Sequence, residues 1–182
     1  MDILSFFRKL IGAQASSTQS PLVPQASDVP ESAPETVSLD YDDLVHLDAE
    51  DLSEQGIADA FEALRERLSR YVDEPIQVQE TFDEETGSYS IRYAEVEHVI
   101  LSPELPYSRG EHWGRATAAF FALVNSQLTS SPVRFYAFNN GNDLSGMFLE
   151  PARAEEAKKG LKRRIDWPYI PDACAPWYGQ FH

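Results

Sequence analysis

His98, His112, Glu95, Glu97, the NNGND run at 139–143 and Cys174 are the residues of this 182-residue chain whose types invite a chemical reading. Neither histidine has a second His, Cys or carboxylate at metal-ligand spacing. A half-buried strand histidine at 98 and a helix-start histidine at 112 account for them better than a metal site does. Glu95 and Glu97 stand two apart on an expected strand and so share a face, an arrangement able to pair carboxylates for acid/base work, although a solvated sheet face explains them equally well. The NNGND run offers oxygen ligands for calcium but lacks the Asp-x-Asp spacing and terminal Glu of a calcium loop, and a hairpin turn accounts for each of its residues. Cys174, in DACAPW, has no basic neighbour to stabilise a thiolate. As the single cysteine it excludes an internal disulfide and a multi-cysteine zinc site, and it fits a reducing, cytoplasmic setting. The sequence holds no glycine-rich phosphate loop, GxSxG, HExxH or CxxC. The expectation is a protein that binds without catalysing, with no cofactor and no metal; an enzyme of unrecognised type is the third reading, behind two binding readings.

Two segments have the composition of contact surfaces. Thirty acidic residues against fifteen basic ones give a net charge of −15, and no Lys or Arg falls between Lys9 and Arg65. The acid is therefore concentrated in one stretch. Such a chain is ill suited to neutralising phosphate backbones, so nucleic acid is not the expected partner; a basic protein is. Within SLDYDDLVHLDAEDLSE the carboxylates of Asp40, Asp42, Asp43, Asp48, Glu50 and Asp51 alternate with apolar groups that include Tyr41 and Leu44. Rim charges that steer and apolar groups that anchor are the two parts of a docking surface. A segment that lays its apolar side on its own domain would show the same pattern. The second segment is the tail DWPYIPDACAPWYGQFH, whose rigid aromatics suit either a partner or, as the reading preferred here, a wrap over the domain's own core.

The elements that must position these residues follow from periodicity. Residues 1–12 place Ile3, Phe6, Phe7, Leu10 and Ile11 at helical spacing, which predicts a short amphipathic helix that is not a signal peptide. Residues 13–38 are rich in Pro, Ser and Gln and read as a disordered linker. From 39 to 182 a single domain is expected. A helix over 53–72 is followed by a hairpin of 76–82 and 88–94 and by a third strand at 96–102. Trp113, Ala116, Thr117, Phe120, Phe121, Val124 and Leu128 then mark the central helix. Strands at 133–138 and 144–149 flank the NNGND turn, and a last helix spans 151–162. The order α-β-β-β-α-β-β-α predicts an α+β fold with a largely antiparallel five-stranded sheet and packed helices. No apolar run approaches the ~18–20 residues that cross a bilayer, so no integral membrane segment is expected.

The opening HWGRATAAFFALVNSQL of the long helix, the strand-turn-strand VRFYAFNNGNDLSGMFL and the aromatic tail give residues 40–182 a character that resembles the immunity proteins bacteria encode beside polymorphic secreted toxins. The resemblance implies a stoichiometric cytoplasmic inhibitor bound to a cognate toxin. It supplies no motif from which binding residues can be placed. The same element order with strong acidity also resembles the small dimeric chaperones of bacterial type III secretion, which implies an effector as partner and a homodimer as an alternative state.

Overall fold

The structure is a computed structural model that describes residues 39–105 and 109–182. The helix expected over 1–12 and the linker expected over 13–38 lie outside the described residues. From Leu39 onward the fold is α+β. Strand β1 (Val45–His46) is followed by a helical turn at Ala49–Asp51 and by helix α1 (Ile57–Leu68). Strands β2 (Gln79–Asp83), β3 (Ser88–Tyr93) and β4 (Val96–Leu101) come next. Helix α2 (Arg109–Gln127), strands β5 (Arg134–Phe138) and β6 (Ser145–Leu149) and helix α3 (Pro151–Gly160) complete the order.

The strands form two antiparallel three-stranded sheets, β1-β6-β5 and β2-β3-β4, where a single five-stranded sheet was expected. The reason lies in how the edges of the β5–β6 hairpin are closed. Asn125 of α2 donates from Nδ2 to the Phe135 carbonyl (2.9 Å) and accepts the Phe135 N–H at Oδ1 (2.8 Å), so a side chain stands in for a neighbouring strand. Two residues on, the Tyr169 backbone exchanges both hydrogen bonds with Ala137, at 2.7 and 3.0 Å. Backbone groups of residues i and i+2 face the same edge, so these two partners seal the outer side of β5 against the other sheet. The far edge of β6 is taken by β1, an unforeseen strand within the acidic segment, through Val45↔Gly146 and His46↔Ser145.

The β1-β6-β5 sheet is buried on both faces. Tyr136, Phe138, Met147 and Leu149 face Ala154 and Ala157 of α3, with Leu39 beside them. Phe135, Ala137 and Leu144 face the main core, where Phe120, Phe121, Leu123 and Val124 of α2 meet Ile57, Phe61 and Leu64 of α1. Phe135 stacks on Phe121 with ring centroids 4.9 Å apart, and a Cβ built on Gly146 would lie 2.1 Å from its ring. Only glycine lets that ring close over the strand. The second sheet adds Tyr89, Ile91, Tyr93 and Ile100 to the same core.

The helix expected to start at Ser53 starts at Ile57. Gln55 takes a left-handed conformation (φ 70°, ψ 32°), and a Cβ on Gly56 would sit 2.5 Å from the Asp51 carbonyl oxygen. Asp48 caps the preceding turn through Glu50 N–H at 2.8 Å, and Ser53 Oγ bonds back to the Glu50 carbonyl at 2.9 Å. The chain therefore turns sharply before α1, and the new helix end finds its cap far away in sequence. Glu80 Oε1 on β2 accepts the N–H groups of Ile57 (3.1 Å) and Ala58 (3.3 Å), and it also accepts the Tyr89 hydroxyl. A carboxylate there satisfies open donors and the positive end of the helix dipole together.

The C-terminal tail wraps the domain. Tyr169 and Tyr178 are buried, and the Tyr169 hydroxyl donates to the Asn139 carbonyl at 2.9 Å. The Tyr178 ring fills the place a side chain at Gly114 would need, with ring carbon 2.1 Å from the built Cβ. Phe181 packs edge-on to Trp167 at 5.3 Å, with Lys158 Nζ over the Phe181 ring at 4.9 Å. Trp177 alone among the tail's Trp and Tyr side chains stays half exposed, stacked on His182 at 4.3 Å.

Candidate functional site

The acidic segment is divided by β1 into two groups. Asp40, Tyr41, Asp42 and Asp43 precede it as a single exposed turn, in which Asp40 Oδ1 accepts the Asp42 N–H at 3.1 Å. Tyr41 is 56% exposed, enough to present most of its ring to a partner. Leu44 is half-buried and packs against the Tyr136 and Ala154 cluster, so part of its apolar surface already belongs to the domain. Arg67 of α1 ties this turn down by donating from Nη1 to the Asp43 carbonyl at 2.9 Å.

Asp48, Glu50 and Asp51 follow β1. Asn142, at the tip of the β5–β6 hairpin, donates from Nδ2 to Asp48 Oδ2 (3.3 Å) and to Glu50 Oε2 (3.2 Å). Asp48 and Asp51 line an open cleft of about 740 Å³. Its apolar floor includes Val45, Leu47, Leu52 and Ala60, and its rim carries the carboxylates of Asp48, Asp51, Glu54 and Asp59. No Lys or Arg lines it. An apolar floor with an acidic rim fits a long cationic side chain, whose stem covers the floor while its head reaches the carboxylates.

Of the eight residues singled out from the sequence, the structure thus brings Asp48 and Asp51 to the cleft, sets Glu50 beside it through Asn142, and leaves Asp40, Tyr41, Asp42, Asp43 and Leu44 on the far side of β1. Glu54, Gln55, Asp59 and Asn142 complete the cleft and were not foreseen as site residues. Gly56, just after the acidic run, was the one signal in the sequence for the sharp turn that folds Glu54 and Asp59 onto the same cleft as Asp48.

The remaining chemical candidates are dispersed. His98 stacks on Tyr93 (4.5 Å, 4° between planes), and burial holds its imidazole below the usual value of 6.5. Glu95 lies in the tight β3–β4 turn with φ 61°, while Glu97 accepts a hydrogen bond from Ser90 Oγ (2.8 Å) and faces Arg92 at 3.7 Å. Their different roles keep them from acting as a carboxylate pair. The NNGND run forms the hairpin tip, with Gly141 at φ 61°. Among the described residues, no group of three or more His, Cys, Asp or Glu is placed to hold a metal ion, and no helix is long and apolar enough to cross a membrane. Comparison with family models, with curated proteins and with solved structures gave no match to this chain.

Proposed function

We propose that this chain is a cytoplasmic binding protein that neutralises a cognate basic protein toxin, as an immunity protein does, and that it acts by occupying its partner without chemistry of its own. One observation carries the reading: an apolar-floored cleft rimmed by Asp48, Asp51, Glu54 and Asp59 with no Lys or Arg on its lining. Like-charged carboxylates gathered over apolar side chains lower one another's comfort in the unbound protein, and a cation from a partner relieves that repulsion. The exposed Asp40, Asp42 and Asp43 extend the negative field beyond β1, with Tyr41 as an aromatic anchor beside them. The secretion-chaperone reading gains support from a different feature, the outer edge of β4, which no strand among the described residues pairs and which suits an extended effector segment.

Co-expression with the toxin candidate of the neighbouring gene tests the proposal. The wild-type chain should restore growth and co-purify with the toxin. Replacing Asp40, Asp42, Asp43, Asp48, Glu50 and Asp51 by Asn or Gln should slow association by roughly tenfold and flatten its salt dependence. Tyr41→Ala should act mainly on dissociation. Rescue without a complex, or an unchanged salt slope after all six replacements, overturns the reading.

A further inference from the structure

A second concave surface lies away from the acidic cleft, between the end strand β4 and helix α2. It is a groove of about 370 Å³ with Ala118, Ala119 and Ala122 on one wall and Val99 on the other. Small side chains along α2 are what keep it open. Its lining carries charges of both signs, Arg115 and Asp172, where the acidic cleft carries carboxylates without Lys or Arg. Arg115 is held by Glu111 (3.7 Å) and by the Ile100 carbonyl (2.8 Å), Asp172 accepts the Cys174 N–H at 2.8 Å, and the Glu97 carboxylate is engaged by Ser90 and Arg92. An occupant of this groove has no net charge to meet.

The strand beside the groove has a free backbone edge. β4 ends the β2-β3-β4 sheet, and no strand among the described residues pairs with its other side. Ala94 (φ 46°) and Glu95 (φ 61°) form a two-residue turn, so Tyr93↔Val96 is a hydrogen-bonded pair and alternation runs from there. Glu97 and Val99 consequently direct their N–H and C=O groups away from β3. The register shift after Val99 ends the regular edge, where the Ile100 carbonyl is turned to Arg115.

We propose that this groove receives a short, extended, uncharged apolar segment of a protein partner, which adds to the edge of β4 as a fourth strand. A second copy would bring a net charge of −15 against an equal charge on this one, which opposes self-pairing, and the loop carrying Pro171 and Ala173 also lines the groove. The chain's own residues 13–38 are unsuited, because Pro21, Pro24, Pro30 and Pro34 interrupt the N–H ladder and Asp28, Glu31 and Glu35 add charge. The five large apolar residues at helical spacing in 1–12 do not match a slot of this volume.

The probe is an acetylated and amidated hexapeptide of alternating Thr and Val, titrated into the full-length, isotope-labelled protein and followed by amide chemical shifts and hydrogen exchange. Binding should shift and protect the Glu97 and Val99 amides. Ala122→Leu fills the groove from an exposed position, and Val99→Pro removes an edge donor at a place where proline is tolerated in a strand. Each should weaken binding at least tenfold while thermal unfolding stays cooperative. A peptide carrying Pro at its third position should not bind. Absence of shifts at millimolar peptide, or equal binding by both variants, overturns the proposal. Protection of the same amides without peptide overturns it too: protection that rises with protein concentration assigns the edge to a second copy, and protection lost on deleting residues 1–38 assigns it to the chain's own N-terminal segment.

Discussion

Glu80 is the residue on which the start of α1 depends, and its removal has a magnitude that follows from its bonds. Its Oε1 accepts two helix N–H groups, those of Ile57 and Ala58, together with the Tyr89 hydroxyl. Ile57 and Tyr89 are 0% and 1% exposed, so water does not readily replace the lost acceptor at either residue. Glu80→Ala removes a helix cap worth ~1–2 kcal/mol and leaves a buried hydroxyl that costs ~1–3 kcal/mol when unpaired. The two losses share one oxygen and do not add in full, so the expected destabilisation is ~2–4 kcal/mol. Glu80→Gln keeps a carbonyl acceptor and loses the charge, and should cost ~0.5–1.5 kcal/mol. Tyr89→Phe removes the orphan itself, and the double variant with Glu80→Ala should be more stable than the sum of the single effects by ~1–2 kcal/mol. Urea unfolding followed by far-ultraviolet circular dichroism measures the wild type and the four variants, with an unchanged m-value as the check that the unfolded reference is constant. A Glu80→Ala loss below ~0.5 kcal/mol, or strict additivity in the cycle, would refute the reasoning.

Three further outcomes are expected. Phe121→Ala should destabilise by ~3–5 kcal/mol, because a fully buried ring stacked on Phe135 leaves a cavity its neighbours cannot close; chemical denaturation measures it. Gly146→Ala should cost ~1–3 kcal/mol or shift the Phe135 ring, as seen in the Phe135 side-chain resonances, since the added carbon enters the ring. Stability should fall on acidification through the region of 6.5 and below: burial lowers the folded-state pKa of His98, so the unfolded chain binds more protons there and the contribution present above 6.5 is lost as pH falls towards the folded value. His98→Phe, which keeps a ring against Tyr93, should flatten that part of the urea-midpoint against pH curve, and an unchanged slope would assign the pH dependence to other groups.

Periodicity made the hairpins and the central helix legible, because their burial alternates with the element's own repeat. In β5, Phe135 and Ala137 face one layer while Tyr136 and Phe138 face the other, and on α2 the Phe120, Phe121 and Val124 stripe meets the core as its spacing requires. The division into two sheets was not legible. It depends on Asn125 and Tyr169, whose hydrogen bonds to β5 span 10 and 32 residues, and nothing in a local pattern marks a helix asparagine as a substitute strand. The start of α1 misled for a similar reason: Ser53 followed by Glu54 and Gln55 imitates a helix start, whereas the cap that operates is Glu80 on a distant strand. The acidic character of the candidate site was visible as a run of residues without Lys or Arg. Its cleft was not, because Asp59 and Asn142 reach Asp48 only through the sharp turn at Gln55 and the hairpin tip.

The two sheets also differ in what they leave open, and the two proposals divide between them accordingly. The β1-β6-β5 sheet has helices on both faces and its β5 edge taken by Asn125 and Tyr169, so in the proposed function it contributes through what it carries at its rim, the side chains of Asp48 and Asn142 and the turn around Tyr41. Charge at such a rim acts over the reach of screening and governs encounter more than residence. In the β2-β3-β4 sheet neither end strand has a further strand partner among the described residues, and the β4 edge lies beside a neutral groove, where backbone hydrogen bonds and apolar contact act only at close range. A partner that uses both surfaces would be captured by the first and retained by the second. The two proposals therefore separate kinetically: neutralising the acids should change the association rate and its salt slope, whereas Ala122→Leu should change the dissociation rate and leave the salt slope intact. If both sets of variants altered only one of the two rates, the division of labour argued from the sheet edges would fail.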